Sequence, residues 1–64
     1  MQTYRQILKE ELERLVKTEG FNVSHANDIL ELFDDEIEDG HSSTTAYEKA
    51  IQDIDNVKNG EWDL

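Results

Sequence analysis

The residues best able to do chemistry lie in FDDEIEDGHSSTTAYE, positions 33–48, where carboxylates, a lone glycine, an imidazole and a run of hydroxyls meet. A calcium loop is the first chemistry to test. The EF-hand pattern places oxygen ligands at loop positions 1, 3, 5 and 12, with glycine at 6. Setting Gly40 at position 6 puts Asp35 at 1 and Asp39 at 5, but Ile37 at 3 and Ala46 at 12. Two ligand positions, one of them the bidentate one, are therefore apolar, which excludes a dedicated calcium sensor. Zinc fares no better: His25 and His41 have no ligand partner one helical turn away, and there is no cysteine to complete a set. Both histidines read as exposed polar residues. Ser42 and Ser43 adjoin His41 in sequence, yet adjacency is not a nucleophile–base geometry, and no third group orients the pair. No glycine-rich phosphate loop is present. Neither a catalytic centre nor a bound cofactor is expected.

Composition supports the same exclusion. A 64-residue chain forms one domain with little interior to spare for a substrate cleft. The amino-terminal MQTYRQILKEELERL is charged throughout and lacks a signal-peptide pattern, and no apolar run approaches the ~20 residues of a membrane span. With no cysteine for a disulfide framework, a cytoplasmic protein is expected. Sixteen acids face six bases, for a formal net charge of −10. Direct binding to nucleic acid is disfavoured, because affinity there comes from cations that neutralise phosphates. An anionic membrane surface would repel the chain as well. A basic protein partner is the natural complement.

The elements that must position these groups are helices. Proline is absent, and the glycines stand at 20, 40 and 60, each after a helical pattern, where a helix-terminating residue belongs. The spacing predicts helices over about 4–19, 25–39 and 46–59. The first carries Tyr4, Ile7, Leu8, Leu12, Leu15 and Val16 on one stripe, with Thr3 and Gln6 as a capping box. Phe21 stands where the residue after the stop folds back on Val16. The second carries Ala26, Ile29, Leu30, Phe33 and Ile37, with Leu32 beside them and Ser24 as cap. The third carries Tyr47, Ala50, Ile51, Ile54 and Val57, opened by a Thr45–Glu48 capping box. These stripes predict an all-α, compact three-helix bundle.

The acids are not spread evenly. From Thr18 to Glu48 there is no lysine or arginine, against nine acids. Helix 1 offers ordinary surface pairs, Lys9 with Glu13 and Glu10 with Arg14, whereas helix 2 has no cation of its own. With its apolar stripe inward, helix 2 turns Asp28, Glu31, Asp34, Asp35 and Glu38 outward. Glu36, Glu38 and Asp39 crowd its carboxyl end, where the helix dipole disfavours negative charge. Like charges one turn apart cost a few tenths of a kcal/mol per pair. A face held at that cost is a candidate binding surface. The candidate residues are therefore Asp28, Glu31, Asp34, Asp35, Glu38 and Asp39, with Trp62 as an anchor. The plain alternatives are a solvated face and a Trp62 that caps the core.

In size, charge and helicity the chain is similar to phage-encoded anti-defence proteins such as DNA mimics and CRISPR or restriction inhibitors. That likeness is one of format, with no motif behind it. It implies an inhibitor or adaptor of a basic, nucleic-acid-handling protein. The segment AYEKAIQDIDNVKNGEWDL resembles the acidic arms of addiction-module antitoxins, which implies instead a helix wrapped on a basic toxin. A third possibility is self-association through leftover apolar residues, Tyr4, Leu32 and Trp62, so both monomer and homodimer stay open.

Overall fold

Three helices of 16 residues each account for most of the chain: α1, Tyr4–Glu19; α2, Val23–Glu38; and α3, Ser43–Lys58. They come from a computed structural model that describes residues 3–61. Trp62, expected as an anchor, lies outside the described residues.

Local signals explain where each helix starts. Thr3 accepts a hydrogen bond from the Gln6 N–H while Gln6 Oε1 accepts from the Thr3 N–H, the reciprocal box expected for α1. The other two starts differ from the sequence reading. Asn22, not Ser24, caps α2, its Oδ1 accepting from the N–H groups of Ser24 (2.8 Å) and His25 (3.3 Å). Ser42, not Thr45, caps α3 and accepts from the Thr45 N–H at 3.2 Å. The physical reason is shared. Ala26 and Ala46 are both buried, and the earlier start builds the turn that carries each of them into the core.

The helix ends follow the glycines. After α2, the His41 N–H bonds Glu36 O at 3.0 Å and the Gly40 N–H bonds Ile37 O at 3.1 Å, the paired pattern of a Schellman stop. Gly40 makes that turn at a φ of +99°, which strains any residue with a Cβ. Phe21 does turn inward after α1 and is buried, its N–H bonding Leu15 O, and Val16 packs against the core cluster it belongs to.

Connections confined to residues 20–22 and 39–42 force antiparallel neighbours. Cross-helix contacts give the directions. Arg5 meets Asp34, Glu36 meets Lys49, and Glu19 meets Lys58, so α1 and α3 run the same way and α2 runs against both. The core is Leu8, Leu12 and Leu15 from α1, Phe21, Ala26, Ile29 and Phe33, and Ala46, Ala50 and Ile54 from α3, with Val16, Leu30, Tyr47 and Val57 packed around it.

Four residues expected on the buried stripes are not buried: Tyr4, Ile7, Ile37 and Ile51 are 36–40% exposed. The arrangement is flat, 15 Å through its shortest axis against 31 and 28 Å, so residues on the flanks of each stripe reach the broad faces. Tyr4 and Tyr47 stack at a ring-centroid distance of 5.1 Å. Ile7 and Ile51 follow one turn further along these parallel helices. Among the described residues no helix is long and apolar enough to cross a membrane.

Candidate acidic interface on the second helix

Helix α2 is locked by Ile29 and Phe33, which point into the core. At about 100° per residue, Asp28, Glu31, Asp35 and Glu38 then fall within about 80° of arc on the opposite side. They climb about 15 Å along the axis. Glu31, Asp35 and Glu38 are exposed and Asp28 is half-buried. None of the four has an ion-pair partner among the described residues. Asp28, Glu31 and Asp35 line an open depression together with Leu32, which is 38% exposed. An apolar side chain thus sits among three carboxylates on a rigid helix.

The other expected members part company with this face. Asp34 is turned toward α1, where Arg5 Nε and Nη2 donate to its two carboxylate oxygens at 2.8 and 3.2 Å. That bidentate bond raises the Arg5 pKa. Asp39 caps the helix and is exposed, its N–H bonded to Asp35 O.

Compensation for α2, absent from its own sequence, arrives from its neighbours. Besides Arg5, Lys49 Nζ on α3 lies 2.7 Å from Glu36 Oε1, and His41 Nε2 lies 3.9 Å from the other oxygen. The Lys49 hydrogen bond holds the Glu36 carboxyl below its ordinary value, and the same bond raises Lys49. Arg5 and Lys49 stand at the carboxyl end of α2, where the dipole favours positive charge. Asp53 lies in the same α2–α3 seam, and burial pushes its carboxyl up. Sequence reading missed this seam because Glu36 and Lys49 are on different helices. Only the antiparallel docking of α2 and α3 brings them together.

The histidines separate too. His41 is exposed as expected, whereas His25 is half-buried, with Nδ1 shut off from solvent and without a hydrogen-bond partner among the described residues. No cluster of three or more His, Cys, Asp or Glu side chains is placed to hold a metal ion among the described residues. The α3 segment read as a possible wrapping arm buries Ala46, Ala50 and Ile54 in the bundle itself.

Comparison with protein-family models, with curated proteins and with solved structures returns no match to this chain.

Proposed function

We propose that this protein is a binding protein rather than an enzyme, and that it engages a basic, nucleic-acid-handling protein through the outer face of α2, as an inhibitor or adaptor. The observation that carries the reading is the row Asp28, Glu31, Asp35 and Glu38, four carboxylates on one rigid face with no cation paired to them among the described residues. They recur about every 5 Å along the helix axis, a step comparable to, though wider than, the roughly 3.4 Å per phosphate along one DNA strand. A cleft lined with arginine and lysine for a phosphate backbone would gain charge-assisted hydrogen bonds from such a row. Leu32, at its edge, supplies an apolar contact that a phosphate backbone lacks, which favours a protein surface as the complement. The phage anti-defence format fits this reading.

The test is capture from a cell lysate, with the retained proteins identified at low and high salt. Wild type should retain nucleic-acid-binding proteins in low salt and release them in high salt. The Glu31→Lys, Asp35→Lys, Glu38→Lys triple variant should retain none of them. Added duplex DNA should compete for the site. Retention that ignores salt, or that survives the triple reversal, sinks the reading.

A further inference from the structure

A different face of the molecule carries the two lysines that have no ion pair among the described residues. Of the six lysines and arginines, Arg5, Arg14, Lys49 and Lys58 are engaged in ion pairs, with Asp34, Glu11 and Glu19, Glu36, and Glu19 respectively. Lys9 and Lys17 have no ion pair among the described residues, and the Lys9–Glu13 pair expected from sequence does not close. Both lysines rim an open groove of about 210 Å³ between α1 and α2. Its floor is apolar: Leu12 and Val16 from α1, Val23, Ala26 and Leu30 from α2. Val23 is 56% exposed, more than any other large apolar side chain among the described residues. The α2 rim adds only the neutral Asn27.

The charges along the α1 rim read Lys9, Glu13, Lys17, alternating in sign at one-turn intervals. An acidic partner helix would meet Glu13, and a basic one would meet the two lysines. A ladder of alternating sign is complementary to its own copy run antiparallel with a one-turn offset. Two-fold symmetry then sets Lys17 against the second copy's Glu13 and Glu13 against its Lys17. Val16 and Val23 meet near the axis. Two-fold dimers are the commonest symmetric assembly because one patch serves both subunits. Away from this rim the net charge of −10 repels a second copy.

We propose that the Lys9–Glu13–Lys17 groove between α1 and α2 is a homodimer interface, occupied by a second copy of this chain in two-fold antiparallel register. The proposal is independent of the acidic face, since Asp28, Glu31, Asp35 and Glu38 lie on another side of α2.

Sedimentation equilibrium from about 10 μM to about 1 mM decides it, that range covering weak association. Wild type should dimerise. Lys17→Glu and Val23→Asp change exposed side chains and leave the fold, checked by circular dichroism; each should weaken association about tenfold or more. The swap Glu13→Lys with Lys17→Glu reverses both members of the Lys17–Glu13 cross-pairs and keeps them opposite in sign, so it should restore association to within about threefold of wild type. Thr44→Glu with Gln52→Glu adds the same net charge as Lys17→Glu, but on α3, and should dimerise like wild type. A wild type that stays monomeric overturns the proposal. So do an unaffected Lys17→Glu, a swap that fails to restore, or an α3 control that weakens as much as Lys17→Glu.

Discussion

Arg5 on α1 grips Asp34 on α2 through two parallel nitrogen–oxygen contacts, 2.8 and 3.2 Å, across the shared end of two antiparallel helices. This one relationship removes Asp34 from the acidic row that its sequence position suggests. It divides the carboxylates of α2 into two sets. Asp34 and Glu36 are met by cations from α1 and α3, and Asp28, Glu31, Asp35 and Glu38 are left to face outward.

The outward set should cost stability as long as nothing is bound. Asp35 has Glu31 four residues before it and Glu38 three residues after. Asp35→Lys should therefore raise stability by about 0.5–1 kcal/mol, since it turns repulsions of a few tenths each into attractions. Thermal melts in low salt should show the gain, and 1 M salt should shrink it. A gain that salt leaves untouched would point to a packing effect.

Glu36 gives a pH signature with a definite sign. Its folded carboxyl titrates below its ordinary value of 4.5, so its pairing with Lys49 stabilises the fold above that pH. That contribution is lost as pH falls through the folded value. Glu36→Gln should melt below wild type at pH 7, and the gap should close as pH drops below about 4.5. A gap that stays constant down to pH 2.5 would show that the ion pair contributes nothing.

Asp53 runs the opposite way. Burial raises its carboxyl above 3.8, so its charged form opposes folding once pH has risen through that raised value. Asp53→Asn should melt above wild type at pH 7 and match it at pH 3. The comparison of the two melting curves checks both statements.

Burial separates two isoleucines that sequence placed on the same stripe. Ile29 is fully buried and Ile37 is 38% exposed. Ile29→Ala should cost about 2–5 kcal/mol, a large share of the total for a domain this small. Ile37→Ala should cost about 1 kcal/mol or less. Urea titration of both variants measures the difference directly, and equal costs would contradict the flat arrangement of the helices.

Gly40 turns the chain out of α2 at a φ of +99° with open space where a Cβ would stand. Gly40→Ala should cost about 1–2 kcal/mol through backbone strain alone. A neutral substitution there would mean that the turn relaxes without loss.

Much of the architecture was legible before any coordinates. Leu8, Leu12 and Leu15, or Ala26, Ile29 and Phe33, recur at helical spacing, and that period admits one kind of element. The glycines after α1 and α2 mark stops because the chain there needs a backbone that other residues resist. The Thr3–Gln6 box was readable for the same reason, since both partners are three residues apart. Net charge and the bare acidic stretch were equally a matter of composition.

Other features depend on which helix meets which, and local pattern carries no record of that. Ser42, Ser43, Thr44 and Thr45 are all competent caps, so the choice of Ser42 follows from where Ala46 has to pack. Ile37 and Ile29 share a stripe on α2, yet only docking decides how far that stripe is covered. Arg5 with Asp34 and Lys49 with Glu36 are distant in sequence and meet only because α2 runs against both neighbours. Lys9 and Lys17 look like ordinary surface charges until cross-helix pairs have taken up Arg5, Lys49 and Lys58, and Arg14 has paired within α1. The sequence by itself determined three amphipathic helices and an acidic surplus. The tertiary structure decided which acids are neutralised and which face is left charged, because charge pairing between helices is set by packing geometry and not by spacing along the chain.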